Sequence, residues 1–292
     1  MPPPRPHPTR RHTLTALAAT PLAPLLASTL GSSPASAHTG ADTEAGRPHH
    51  PTHPTLHLTG DSTAAQKFTP AAPETGWGMA LPLFLHPHLR VANHALNGRS
   101  SKSFIDEGHL AALLPLLRPG DLLLIQFGHN DQKSADPSRY TEPWSTYQKY
   151  LRQYVDGARA RGARPVLLTS VERRKFDDFG RAVPTHGEYP AAMRALAARE
   201  GVPLVDVQAT SLRTWQDLGP EPLKAYFNWL EPGESPNYPN GVRDNTHFRP
   251  PGAIEVARMV AAGLLAAGAL RPRDVRRLHA PIPTEWITWP TA

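Results

Sequence analysis

No cysteine occurs anywhere in the 292 residues. That absence excludes a thiolate nucleophile, a thiolate-ligated metal and a disulfide framework, so a buried core must carry the fold. The length suffices for one large domain or two small ones. Acidic residues are missing from the first 37 positions, which hold Arg5, Arg10 and Arg11, and setting that segment aside takes the formal charge from +6 to +3. So small an excess, with no basic stripe interleaved with aromatics, argues against a nucleic-acid partner and is compatible with an acidic substrate. Long apolar runs are lacking too. The longest candidate, Ala261 to Leu270, is broken by glycine and falls short of the roughly 20 residues that a bilayer span needs. Neither a membrane partner nor a second subunit is expected. The G-x-S-x-G and H-E-x-x-H signatures are absent as well, which argues against an ordinary α/β-hydrolase elbow or a zinc protease.

What is present begins with a leader. Residues 1–37 run from a basic start through an Ala/Leu-rich middle to Ala35-Ser36-Ala37, the pattern of a cleavable signal peptide. Within it, "TRRHTL" (Thr9 to Leu14) resembles a twin-arginine export signal, so a secreted product is expected. Residues 38–54 are rich in Pro, Gly and His and read as a flexible linker, with His49, His50 and His53 in a solvated tail rather than a metal site. The remaining 55–292 form the working domain.

From Thr55 onward apolar runs alternate with helical spacing. "TLHLTG" predicts a strand leading into a helix near Ser62, and "RVANHAL" (Arg90 to Leu96) a weaker strand. "DLLLIQFG" (Asp121 to Gly128) is nearly all apolar, as befits a strand buried on both faces. Helical spacing from Trp144 to Arg161 then precedes "RPVLLTSV" (Arg164 to Val171). A helix over "EYPAAMRALAARE" separates that strand from "VPLVDV" (Val202 to Val207), and a last helix follows from Arg249. This alternation predicts a three-layer α/β/α fold with about five parallel strands and right-handed crossovers. In such sheets function gathers at the carboxyl ends of the strands.

Four polar blocks fall at those ends. Ser62 follows the first strand in "GDST", Gly98 follows the second in "NGRSSKSF", and Asn130 follows the third in "GHND". Asp244 and His247 stand three residues apart in "DNTH", just before the last helix. Singly, each has a plain reading: a helix cap at Asp61, Ser62 or Thr63, a Gly-Arg turn, a polar turn, an Asx-turn beside an ordinary histidine. Jointly they supply a serine acyl-transfer site. Ser62 would attack a carbonyl, His247 would take its proton, and Asp244 would orient the imidazole. The N–H groups of Ser62 and Gly98 and the Asn130 amide would receive the oxyanion.

In order and wording, these blocks resemble those of the SGNH, or GDSL, hydrolases. "GDSTAA", "GRSSKSFIDEG" and "QFGHNDQ" resemble, within that superfamily, the rhamnogalacturonan acetylesterase group, as do "TSVERRKFDDFG" and the Thr185-His186-x-x-Tyr189 motif. The likeness spans about Thr55 to Leu270. It implies a flavodoxin-like sheet and ester hydrolysis through Ser62, Asp244 and His247, with Gly98 and Asn130 in the oxyanion hole and no metal or other cofactor. It also implies acetylated pectic rhamnogalacturonan as substrate. One departure is Asn245 after Asp244, where relatives commonly carry Gly.

Substrate contacts are less legible. Trp77, Trp215, Tyr226 and Trp229 are candidates to stack on sugars, and Arg99 and Lys102, beside Gly98, to meet uronate carboxylates. Lipid or aryl esters remain an alternative substrate class, and a non-catalytic glycan-binding protein an alternative role.

Overall fold

The structure, a computed structural model, describes residues 53–291. The leader and nearly all of the linker expected from the sequence lie outside the described residues.

Five parallel strands form the central sheet: β1 (Thr55–Gly60), β2 (Arg90–Asn93), β3 (Leu122–Gln126), β4 (Arg164–Leu168) and β5 (Leu204–Val205). Their spatial order is β2-β1-β3-β4-β5, so the direction of winding reverses between β1 and β3. This is the flavodoxin-like order, whose crevice opens at the carboxyl ends of the two strands flanking the reversal.

Among the described residues seven α-helices accompany the strands: α1 (Trp77–Ala80), α2 (Ser101–Asp106), α3 (His109–Leu113), α4 (Gln148–Ala160), α5 (Tyr189–Glu200), α6 (Val207–Leu218) and α7 (Pro250–Ala266). The alternation of side chains along β3 distributes them. Leu122 and Leu124 join one buried cluster with Trp77, Trp215 and the inner face of α7. Leu123 and Ile125 join the other, with Phe104, Leu151, Tyr154, Met193 and Leu196. Period-2 projection from a fully buried strand thus makes three layers. Each leucine so buried stabilises the fold by roughly 1.5–3 kcal/mol relative to exposure. α7 starts on Pro250 and Pro251, whose fixed φ and missing N–H suit a first turn.

Three local readings are corrected. No helix begins at Ser62; residues 62–65 form a turn, and the first α-helix starts only at Trp77. The segment carrying Asp244 and His247 is not a short turn. It is strand β7 (Val242–Phe248), paired antiparallel with β6 (Phe227–Leu230) in a two-stranded ribbon outside the main sheet. The fifth sheet strand is also shorter than "VPLVDV", because Val207 already begins α6 under an Asp206 cap that accepts from Ala209 N–H at 3.3 Å.

Candidate active site

Gly60 at the end of β1 lies opposite Gln126 at the end of β3, so Ser62 and Gly128, each two residues on, emerge side by side over the crevice. The turn is held by Asp61 rather than by Ser62. The Asp61 carbonyl accepts from Ala64 and Ala65 N–H, both at 3.1 Å. Its Oδ1 accepts from the N–H and hydroxyl of Thr63 at 2.9 and 2.7 Å. α1 docks beneath the turn, Trp77 N–H donating to the Thr63 carbonyl at 2.9 Å. With its neighbours doing the capping, the Ser62 hydroxyl is free to face His247.

Ser62 Oγ lies 2.7 Å from His247 Nε2, and His247 Nδ1 lies 2.6 Å from Asp244 Oδ2. The other oxygen, Asp244 Oδ1, accepts from the N–H groups of Thr246 and His247 at 2.7 and 3.1 Å, which locks the carboxylate to its own strand. Burial opposes ionisation of Asp244, but the bond and charge of His247 and these two amides outweigh it and hold the carboxyl below its ordinary range. The two side chains keep 27% and 25% of their surface exposed, so the pair is open to an incoming ligand. A hydroxyl, an imidazole and a carboxylate in this chain can deprotonate the hydroxyl as it attacks a carbonyl.

Gly98 and Asn130 follow β2 and β3, the two strands on either side of β1. Gly98 has φ +77°, a left-handed conformation that glycine adopts without strain. Asn130 is buried and donates from Nδ2 to the Arg99 carbonyl at 3.0 Å, which ties the two loops together and leaves its second N–H available. Asp131 anchors the same loops from below. Its buried carboxyl accepts from Ser101 N–H and Oγ at 3.1 and 2.5 Å and from Thr141 Oγ1 at 3.0 Å. Burial pushes it up to about 7 against the pull of those donors. Gly128, at φ +150°, has no room for a side chain, since a Cβ would lie 2.2 Å from Ser170 Oγ.

Under these groups lies a layer that sequence reasoning missed. Asp61 Oδ2 is 3.2 Å from Nδ1 of the buried His129. The His129 ring meets His186 edge-on at 4.4 Å between centroids, and His186 Nε2 donates to the Val171 carbonyl at 2.8 Å. Arg173 donates to the carbonyls of His129 and Thr185. Tyr189 donates its hydroxyl to the Asp131 carbonyl at 2.9 Å and to that of Thr141. The Thr185-His186-x-x-Tyr189 motif therefore braces the "GHND" loop from behind. Only the pairing of histidines with "GHND" and "TH-x-x-Y" in distant segments hinted at it.

Residues 58–253 match the GDSL-like lipase/acylhydrolase family over more than half of the chain. The chain belongs to that family. It is a carboxylic ester hydrolase. The rhamnogalacturonan acetylesterase RhgT of Bacillus subtilis (strain 168) is 47% identical over 211 residues, which cover 72% of this chain and 89% of the relative. The probable rhamnogalacturonan acetylesterase YesY of the same organism is 40% identical over 213 residues, 73% and 93% of the two chains. Among solved structures, Bacillus subtilis YxiM superposes with a TM-score of 0.63 at 28% identity, covering 74% of this chain and 57% of that longer one.

In this GDSL-like hydrolase the candidate substrate contacts fare differently. Trp77 must be withdrawn as a sugar platform, because it is fully buried and donates from Nε1 to Gln126 Oε1 at 2.8 Å within the core. Trp215 is likewise buried, bonded to the Glu172 carbonyl at 2.9 Å. Arg99 does lie beside Gly98, but its guanidinium pairs with Glu107 at 2.7 Å and donates to the Asn97 carbonyl at 3.0 Å. Lys102 is held by Asp106 at 3.1 Å and by the carbonyls of Pro137 and Ser138. Trp229 alone among the named tryptophans stands partly exposed on the ribbon that carries Asp244. Among the described residues no group of three His, Asp or Glu side chains stands close enough to hold a metal ion, and no helix is long and apolar enough to cross a membrane.

Proposed function

We propose that the protein is a secreted acetylesterase that removes O-acetyl groups from rhamnogalacturonan through an acyl-enzyme on Ser62. The observation that supports it is the continuous Ser62–His247–Asp244 hydrogen-bond chain at 2.7 and 2.6 Å over the crevice. Neutral His247 takes the Ser62 proton at Nε2 as Oγ bonds to the acetyl carbon. The resulting oxyanion faces the N–H groups of Ser62 and Gly98 and the free N–H of Asn130. Collapse breaks the bond to the sugar oxygen, which receives its proton from His247. Water, deprotonated by the same imidazole, then attacks acetyl-Ser62 and releases acetate with the free serine. Asp244 keeps Nδ1 protonated, so Nε2 is the basic nitrogen throughout.

The substrate reading is supported by two relatives named rhamnogalacturonan acetylesterase and probable rhamnogalacturonan acetylesterase, each aligned over most of its own length. Export rests on the leader pattern of residues 1–37. The test is acetate release by the purified protein from acetylated rhamnogalacturonan, acetylated xylan and a small aryl acetate, beside the Ser62→Ala variant. Preference for the pectic polymer, abolished in Ser62→Ala, is the expected result. Activity confined to aryl or long-chain esters would overturn the substrate, and normal turnover by Ser62→Ala would overturn the mechanism.

A further inference from the structure

The ribbon that carries Asp244 also carries an unusual gathering of positive charge. Trp229 of β6 lies directly across from Arg243 of β7. Three cations crowd its indole: Arg174 Cζ at 4.7 Å from the ring centroid, Lys224 Nζ at 4.8 Å and Arg243 Cζ at 5.7 Å. An aromatic face attracts each of them, but it does not cancel their mutual repulsion. Among the described residues one carboxylate pairs with them, Glu221, at 2.6 Å from Lys224 Nζ and 4.0 Å from Arg174. The group therefore holds an excess of two positive charges.

The three cations are not equivalent. Arg174 is built into the fold: it donates twice to the Pro220 carbonyl, at 3.0 and 2.7 Å, and once to Asn245 Oδ1 at 3.2 Å. Asn245 Oδ1 also accepts from the Trp229 indole N–H at 3.0 Å, and the Asn245 carbonyl accepts from Arg174 N–H at 2.9 Å. These bonds fix the indole and the guanidinium relative to the residue that follows Asp244. Lys224 and Arg243 carry the reach. Arg243 is exposed, and its guanidinium has no ion-pair or hydrogen-bond partner among the described residues.

We propose that Trp229, Arg243, Lys224 and Arg174 form a subsite for the carboxylate of a uronic acid next to the acetylated sugar. The reading rests on the acetylesterase function proposed above and names the feature by which a pectic chain is told from a neutral one. Arg243 and Asn245 flank Asp244 in the chain, so the subsite sits on the rim of the crevice, where a neighbouring sugar of a bound polymer passes. A carboxylate there relieves the crowding of the cations and gains charge-assisted bonds, whereas a neutral xylan gains neither.

The experiment compares kcat/KM on acetylated rhamnogalacturonan oligosaccharides with kcat/KM on acetylated xylo-oligosaccharides, as a ratio, for wild type, Arg243→Gln, Lys224→Gln and Arg243→Lys. At low salt the ratio falls about 3- to 10-fold in the two Gln variants, through KM rather than kcat, and Arg243→Lys retains most of it. The difference narrows in high salt, as the Debye length drops from about 30 Å at 0.01 M to about 3 Å at 1 M. An unchanged ratio, whether both substrates suffer equally or neither does, overturns the subsite. Calorimetric binding of unacetylated rhamnogalacturonan oligosaccharides to Ser62→Ala, with and without Arg243→Gln, reads the subsite without turnover. Binding that is absent, or indifferent to Arg243→Gln, overturns it as well. A wild type that deacetylates xylan alone while its Ser62→Ala form binds the uronate oligomer through Arg243 would refute the substrate and keep the subsite.

Discussion

Asp61 and His129 meet 3.2 Å apart beneath the crevice, each one residue before a group that the proposed mechanism uses: Ser62 and Asn130. The contact ties the end of β1 to the end of β3 independently of the sheet. Burial opposes the charge on Asp61, yet His129 and the two Thr63 donors overcome it and hold the carboxyl well below its usual range. Burial, aided by Arg173 and His247, lowers His129 in spite of Asp61, so a carboxylate faces an uncharged imidazole at neutral pH. Asp61→Asn turns an amide into that pocket. It should cost about 1–3 kcal/mol of stability and reduce turnover of an aryl acetate, because Ser62 and Asn130 both lose their floor. Thermal denaturation and kinetics check it; an unaltered Tm with unaltered kcat would show the contact to be idle.

Ser62→Ala and His247→Ala should each abolish hydrolysis, and the double variant should be little worse than either, since both disable one proton transfer. Asp244→Asn should lower kcat by about 10⁴ through the wrong imidazole tautomer. Additive losses in the double variant would mean that the two residues act in separate steps.

Asn130→Ala should lower kcat by about 10²–10³ with KM little changed, the mark of a donor that matters once the oxyanion forms. The bond from Asn130 to the Arg99 carbonyl offers a control. If loop support were its main role, KM and Tm would move instead.

Acid stability should respond in opposite senses to the half-buried His94 and the buried Asp131. Burial, with His57 facing it, lowers His94 from 6.5 to about 4. Between those values only the unfolded chain takes up the proton, so stability falls as pH drops from 6.5 towards 4. Asp131, pushed up to about 7, keeps its proton in the fold where the unfolded chain would lose it, and so adds stability as pH falls through 7. Tm measured against pH should therefore flatten in His94→Gln and steepen in Asp131→Asn. Parallel curves for both variants would contradict these assignments.

Much of this could be read in advance where one dimension suffices. Leu122 to Gln126 is apolar without interruption because both faces of β3 are covered, and α7 announces itself by its prolines and its apolar length. Three of the four blocks were legible because each follows a strand of the main sheet, and the fourth because it precedes the prolines that open α7. The ribbon was not, because "VRDNTHF" has little of the β-branched, alternating character of a strand. It is extended because Phe248 pairs with Phe227 and Arg243 with Trp229. α6 was missed for a related reason: Thr210, Ser211 and Thr214 dilute its pattern, and the fold compensates by bonding the hydroxyls of Thr210 and Thr214 to carbonyls one turn back. Trp77 was misplaced because nothing local distinguishes a tryptophan that fills a core from one that meets a ligand.

The hydrogen bond from Ser62 to His247 spans 185 positions of the chain. As the polypeptide leaves the ribosome, the β1 turn is complete early, while the ribbon and α7 come near the end of the 292 residues. Regain of esterase activity should consequently be among the last events of refolding, later than burial of the tryptophans in the core. An unfinished or C-terminally nicked chain would be chemically silent however much of its sheet had formed.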